Sequence, residues 1–356
     1  MKKRSILRIA SVQIQYELEH PGLIWKIIWD ESYTTKIFQI LEFLKGKVDC
    51  IVFPELSIPF EMIGELKKYV DTEKIMIIAG SHYIESKNVE HYEQLFDWKF
   101  NVEDVRKSIC PILVPDRSIF HIEKINPSVG EEIGYADVKF NNGELQGIFS
   151  VRDYYMGILI CSDFLSPDIR SRILQNVNLA LVPQFNSEMK RFYRLADSEF
   201  NNPNNVLKVI LLANATGETA KGGSALFMNL GASHQKVSKE SFGYDYATLI
   251  TSKEEELILL FKINMESISG RTPNVWKPES HPVDYQEIPI IKKEKGILEI
   301  INGIQDAEDV HSCAEILNDK RNQEIIRINS QILFNKIDIN NLNLEEIKER
   351  IQAVLV

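Results

Sequence analysis

Cysteine is scarce in this chain, with only Cys50, Cys110, Cys161 and Cys313 among 356 residues. No two of them form a CxxC pair, which argues against a disulfide framework and against a zinc site built on paired cysteines. Long apolar runs are also lacking. No window approaches the roughly 18 apolar residues of a membrane span. The opening MKKRSILRIASVQIQYELEH has a basic head, but Arg8, Gln13 and Gln15 break its apolar stretch, so a signal peptide is not expected. Positive charge is in deficit: 41 Lys and Arg stand against 51 Asp and Glu, a formal net charge of −10. A broad grip on nucleic-acid phosphates needs a basic face, so nucleic acid is not an expected partner. The excess negative charge reads as solubility. These absences predict a cytoplasmic protein with reduced thiols and neither a membrane nor a nucleic-acid partner.

Common catalytic signatures are missing too. There is no GxSxG elbow and no HExxH, and the seven histidines are scattered with none near Cys161 in sequence. The segment GETAKGG at 217–223 is glycine-rich but matches neither a P-loop nor a GxGxxG turn. No metal and no organic cofactor is expected.

What is present is the material of a layered α/β protein. Hydrophobic residues make up 44% and charged residues 26%, enough apolar side chains for a sizeable core. Short aliphatic runs at 7–12, 50–53, 75–79, 156–160, 179–182 and 209–213 read as strands buried on both faces. Helical patterns lie between them. Over 34–47, Ile37, Ile40, Leu41 and Leu44 share one face, and further helices are expected at 61–70 and 167–176. Strand–helix–strand alternation implies a layered α/β fold. The stretch 84–123 reads as irregular and loop-bearing. Four prolines between 271 and 290 mark an irregular arm. Helical spacing returns through Val310, Leu317, Ile325, Ile328 and Ile332. It returns again through Ile347, Ile351 and Val354, behind an Asn343–Glu346 pair spaced for capping.

Three residues at or near the ends of apolar runs carry potential chemistry. Cys161 closes the run GILIC, and Glu55 follows another in FPE. A cysteine at a strand end can point into a cleft at the carboxyl edge of a sheet, although a lone cysteine beside an aliphatic strand is more often a small buried hydrophobe. Glu55 alone fits either a loop carboxylate or a general base. Lys124, in FHIEK, is by itself an ordinary lysine, and most lysines are solvated.

Taken together these residues are more informative. Glu55, Lys124 and Cys161 occur in that order, 69 and 37 residues apart. The chain resembles the carbon–nitrogen hydrolase, or nitrilase, superfamily in Arg8–Gln13, Phe53-Pro-Glu55 and Ile78–Ser81. It does so also in Lys124 with Pro127 and Gly130-Glu131, in Gly157–Asp163 with Pro167, in Leu181-Val-Pro183, and in Ala213–Gly217 followed by Gly222–Ser224. The resemblance covers about residues 7 to 265. It implies a four-layer α-β-β-α sandwich over 1–270, usually a homodimer, followed here by the irregular arm at 271–302 and a helical C-terminal extension at 303–356.

The resemblance further implies a Glu55–Lys124–Cys161 triad that cleaves a non-peptide C–N bond, an amide or carbamoyl group of a small molecule, through a covalent thioester. Glu131, or else Glu132, matches the family's second glutamate. Ser162, Gln184 and Phe185 are the expected substrate-binding positions. The family often has an aromatic residue after the nucleophile, where Ser162 stands, and its arginine-rich helix is only loosely matched by 191–199. An amine-accepting acyltransferase on the same fold, or a non-enzymatic partner-binding protein on this scaffold, remain the alternatives from sequence.

Overall fold

The computed structural model describes residues 6–19, 24–96, 98–128, 131, 140–151, 154–265 and 283–290. The expected C-terminal helices lie outside these residues, as do Cys313 and Glu132. The described residues up to Pro289 belong to one compact unit.

The chain opens with β1 (Ile6–Gln13), a central strand whose residues are buried almost throughout. A short ribbon of β2 (Glu17–Glu19) and β3 (Lys26–Ile28) leads to α1 (Glu31–Leu44). Asp30 caps α1 by accepting the Tyr33 N–H at 2.8 Å, which satisfies one of the donors a helix start leaves unpaired. Tyr33, Ile37, Ile40, Leu41 and Leu44 form its buried stripe. Then follow β4 (Cys50–Val52), α2 (Ile63–Glu73) and β5 (Met76–Ile78). β1 pairs parallel with β4 and β4 with β5, the outcome that alternating strands and crossover helices produce.

The stretch 84–123, read from sequence as less regular and loop-bearing, holds regular elements between its loops. It contains α3 (Val89–Leu95), β7 (Ser108–Leu113) and β8 (Phe120–Glu123), with β6 (His82–Tyr83) just before it. Ser108 and Pro111 interrupt the apolar run of β7, yet all six of its residues are buried by pairing with β5, β6 and β8. β7 runs antiparallel to both β5 and β8, so β8 shares the direction of β5 and ends at the same sheet edge.

The second sheet has the order β14-β13-β12-β11-β10-β9. Its strands are β9 (Ile148–Val151), β10 (Tyr154–Ile158), β11 (Leu179–Gln184), β12 (Val209–Asn214), β13 (Ala225–Met228) and β14 (Ala247–Ile250). β10, β11 and β12 are mutually parallel and joined through α4 (Pro167–Leu174) and α5 (Lys190–Glu199). α6 (Ala232–Phe242) follows β13. β15 (Leu257–Asn264) returns to the first sheet and pairs antiparallel with β1.

The arm expected at 271–302 is not irregular throughout. Val283–Pro289 forms β16, an edge strand on β15. A proline can end an edge strand without costing a ladder bond, so Pro289 misled the sequence reading.

One apolar core joins the two sheets. Leu7, Ile9, Val52, Ile78 and Ile112 from the first share it with Ile158, Leu181, Val209 and Leu211 from the second. The alternate residues Ala10, Val12, Ile51 and Ile77 are equally buried. Strand side chains alternate between faces, so these point to the opposite face, where the apolar stripes of α1 and α2 supply cover. Ile173, Phe192 and Ala196 of α4 and α5 cover the second sheet. The result is the α-β-β-α layering. Among the described residues, no helix is long and apolar enough to cross a membrane.

Candidate active site

Glu55, Lys124 and Cys161 each lie just beyond a strand end: β4, β8 and β10 respectively. The first two leave one edge of the first sheet and the third leaves the second sheet, so the cluster straddles both. All three are nearly sealed from solvent, at 3%, 1% and 3% exposure. Two of the turns involved are strained. Cys161 has φ +43° and Leu56, next to Glu55, has φ +60°, both in the left-handed region that side chains with a Cβ avoid. Such geometry persists only where packing over-determines it.

Lys124 sits between two carboxylates. Its Nζ donates to Glu55 Oε1 at 2.8 Å and to Glu131 Oε2 at 2.7 Å. Glu131 is further held by the Tyr83 hydroxyl, which donates to Oε1, and by the Ser128 N–H at 2.5 Å. The Phe140 ring lies 5.9 Å from the ammonium. Burial works against the Lys124 charge, but Glu131 and Glu55 hold its pKa well above the ordinary value.

The two carboxylates differ. Burial alone would raise both. For Glu131, the charge and hydrogen bond of Lys124, with the Ser128 and Tyr83 donors, bring the pKa below the usual value. For Glu55, burial outweighs the attraction of Lys124, and the Glu131 charge adds to the rise. Glu131 is thus the fixed counter-ion, and Glu55 is the one poised to take a proton.

The Cys161 thiol faces Glu55, Lys124 and Tyr16. Burial and the Glu55 carboxylate push it well above an ordinary thiol, while Lys124 and the Phe185 N–H oppose the rise. The Glu55 carboxylate and the Cys161 thiol are near enough to shift one another's ionisation. Asn186 Nδ2 reaches Sγ at 3.2 Å. Tyr16 donates its hydroxyl to the Glu55 carbonyl, and its ring lies 5.4 Å from that of Phe185.

The strands carrying the nucleophile and the lysine are laced together. Asp163 accepts the Ile125 N–H at 3.1 Å and the Asn126 N–H at 2.8 Å. In the other direction, Ser162 Oγ donates to the Asn126 carbonyl at 2.6 Å. The Ser162 hydroxyl is occupied in this tie, which leaves its backbone N–H as the group expected from sequence to meet substrate.

Of the other expected binding residues, Phe185 follows directly on β11 and its ring packs 5.4 Å from that of Tyr16. Gln184 is fully buried, and neither end of its carboxamide has a hydrogen-bond partner. Its register places it with Ala180 and Gly157, on the face where a Cβ at Gly157 would meet Ile173 at 2.4 Å. Tyr16, Tyr83, Asp163 and Asn186 were missed from sequence. Only Asp163, two residues past the cysteine, lies inside one of the resembling motifs. Among the described residues, no group of three His, Cys, Asp or Glu side chains is placed to hold a metal ion.

No protein-family model matches the sequence, and no curated protein matches it either. Solved structures do. XC1258 from Xanthomonas campestris, a CN-hydrolase superfamily protein with an arsenic adduct in its active site, matches over 72% of this chain and 90% of its own, at 14% identity and a TM-score of 0.50. Nit3 of Saccharomyces cerevisiae, a member of branch 10 of the nitrilase superfamily, matches over 74% and 92%, at 13% identity and 0.50. The fold is that of the carbon–nitrogen hydrolases. A variant of the amidase from Nesterenkonia sp. AN1 matches equally, over 74% and 93% at 13% identity and 0.50. In it the acetamide moiety of fluoroacetamide is covalently added at the active-site cysteine. At such identities the likeness establishes the carbon–nitrogen hydrolase fold.

Proposed function

We propose that this chain is a cysteine-dependent hydrolase of a non-peptide C–N bond, an amide or carbamoyl group, acting through a thioester on Cys161. The observation that carries the reading is the Lys124 ammonium fixed between Glu55 and Glu131, with the buried Cys161 thiol beside it.

Each part has work to do. Glu55 takes the proton of Cys161 as Sγ attacks the carbonyl carbon, and the C=O electron pair moves onto oxygen. An ammonium has three N–H donors, and Lys124 commits two to carboxylates. The third is left for the oxyanion, together with the Ser162 backbone N–H. Collapse breaks the C–N bond, and the departing amine takes the proton from Glu55. Glu55 then removes a proton from water, which attacks the thioester. The acid leaves and the thiol is restored. Only water is consumed.

The groups facing the sulfur also bear on substrate. Lys124 is already neutralised, and among the described residues no arginine contacts the cluster. An anionic substrate group would meet Glu55 and Glu131 without a cation to receive it, which favours small uncharged acyl groups. A panel of small primary amides and carbamoyl compounds, assayed for ammonia release, tests the reading. Release should occur with the wild type and vanish in Cys161→Ala and Lys124→Ala. Release that survives in Cys161→Ala would move the chemistry elsewhere.

A further inference from the structure

Asn186 follows Phe185 in the loop that leaves β11. Its backbone is held from both sides by one carboxamide. The Asn186 N–H donates to Asn214 Oδ1 at 2.9 Å, and Asn214 Nδ2 donates to the Asn186 carbonyl at 2.9 Å. The Lys221 N–H reaches the same carbonyl at 3.0 Å. Asn214 is fully buried at the end of β12 and also donates to the Gly222 carbonyl at 2.6 Å. The point from which the Asn186 side chain starts is therefore fixed by the second sheet. From there Nδ2 donates to Cys161 Sγ at 3.2 Å.

A thiol sulfur is a weak acceptor and a thiolate a strong one. A donor held at this distance gains most when the proton leaves, which is the condition for an interaction to promote reaction. The need is acute at Cys161, because a buried thiolate loses the water that would otherwise stabilise its charge. Lys124, the cation at hand, is shared between two carboxylates. We propose that Asn186 is a catalytic residue: its carboxamide N–H, held against Sγ, stabilises the Cys161 thiolate as it attacks. Once the C–S bond forms, the sulfur loses its negative charge and the Asn186 donor is released toward the substrate.

The proposal rests on Cys161 being the nucleophile, and its test needs no turnover. Iodoacetamide alkylates the thiolate, forming a C–S bond and expelling iodide, and its rate against pH gives the midpoint of thiol ionisation. Peptide mass spectrometry assigns the modified cysteine. The titratable and charged groups around the sulfur are Glu55, Lys124 and Tyr16, with Glu131 behind Lys124 and Asp163 two residues along the chain. All are retained in the variants.

Asn186→Ala should raise the midpoint by about one pH unit, so that alkylation below the midpoint slows about tenfold. Asn186→Asp keeps the shape and replaces the donor with a carboxylate, so its midpoint should rise further. It also serves as the second variant if the alanine protein does not melt cooperatively. A midpoint that is unchanged or lowered in a folded variant overturns the proposal and leaves the hydrolase reading standing. If the wild type is modified at other cysteines while Cys161 is spared, the nucleophile assignment itself fails. These two failures are distinguishable.

Discussion

The Asp163 carboxylate, two residues beyond Cys161, accepts the backbone N–H of Asn126, two residues beyond Lys124, at 2.8 Å. This bond crosses from one sheet to the other and sets the spacing of nucleophile and ammonium. The carboxyl is nearly sealed from water, at 1% exposure. Burial pushes its pKa up to about 7 against the pull of the Asn126 N–H, Lys124 and the Ile125 N–H.

The sign of the pH effect follows. Between an unfolded value near 4 and the folded value, the native state holds a proton that the unfolded chain does not. Asp163 therefore stabilises the fold at low pH, and this contribution is lost as pH rises through about 7. Asp163→Asn cannot titrate. The stability of this variant relative to wild type should rise between pH 4 and pH 7 by a few kcal/mol, because each pH unit crossed between the unfolded and folded values contributes on the order of 1.4 kcal/mol. Denaturant melts of both proteins across that range measure it, and a pH-independent difference would contradict the account.

Glu131→Gln should be costly. It leaves the buried Lys124 with one counter-ion, and breaking a buried ion pair typically costs about 3–5 kcal/mol. Tyr83→Phe removes only the hydroxyl donor to Glu131 and should cost about 1–2 kcal/mol. Thermal melting should rank wild type above Tyr83→Phe above Glu131→Gln. A Glu131→Gln protein as stable as wild type would mean that Glu55 alone suffices to neutralise Lys124.

The strands that carry this site were legible from sequence because their runs are aliphatic on both faces, as at 50–53, 179–182 and 209–213. Glu55, Lys124, Glu131 and Cys161 were legible because each sits in a short ordered motif, and the structure brings all four together. The strand β7 was not legible, since Ser108 and Pro111 break the apolar pattern that pairing with three strands makes up for. Asn186 and Tyr83 carry no local signature. Asn186 is placed by Asn214, 28 residues away, and Tyr83 meets Glu131 across 48 residues. Gln184 stands at a strand end next to the site, fully buried and with neither end of its carboxamide hydrogen-bonded.

Gly80 offers a backbone test of the site. It has φ +64°, and a Cβ there would lie 2.0 Å from the Pro54 carbonyl, one residue before Glu55. Gly80→Ala should destabilise the protein by about 1–3 kcal/mol and displace the Glu55 turn, lowering turnover as well as the melting temperature. Unchanged turnover in this variant would show that Glu55 tolerates movement of its turn.

The most direct test of the central claim is the covalent intermediate. p-Nitrophenyl acetate needs no proton for its leaving group, so Glu55→Gln should still acylate slowly and then stall, because the base that activates water is gone. Intact and peptide mass spectrometry of that variant should find one acetyl group per chain, on the peptide bearing Cys161, while the wild type turns over without accumulating it. An acetyl group found only on other residues, or wild-type turnover of the ester in Cys161→Ala, would contradict the account.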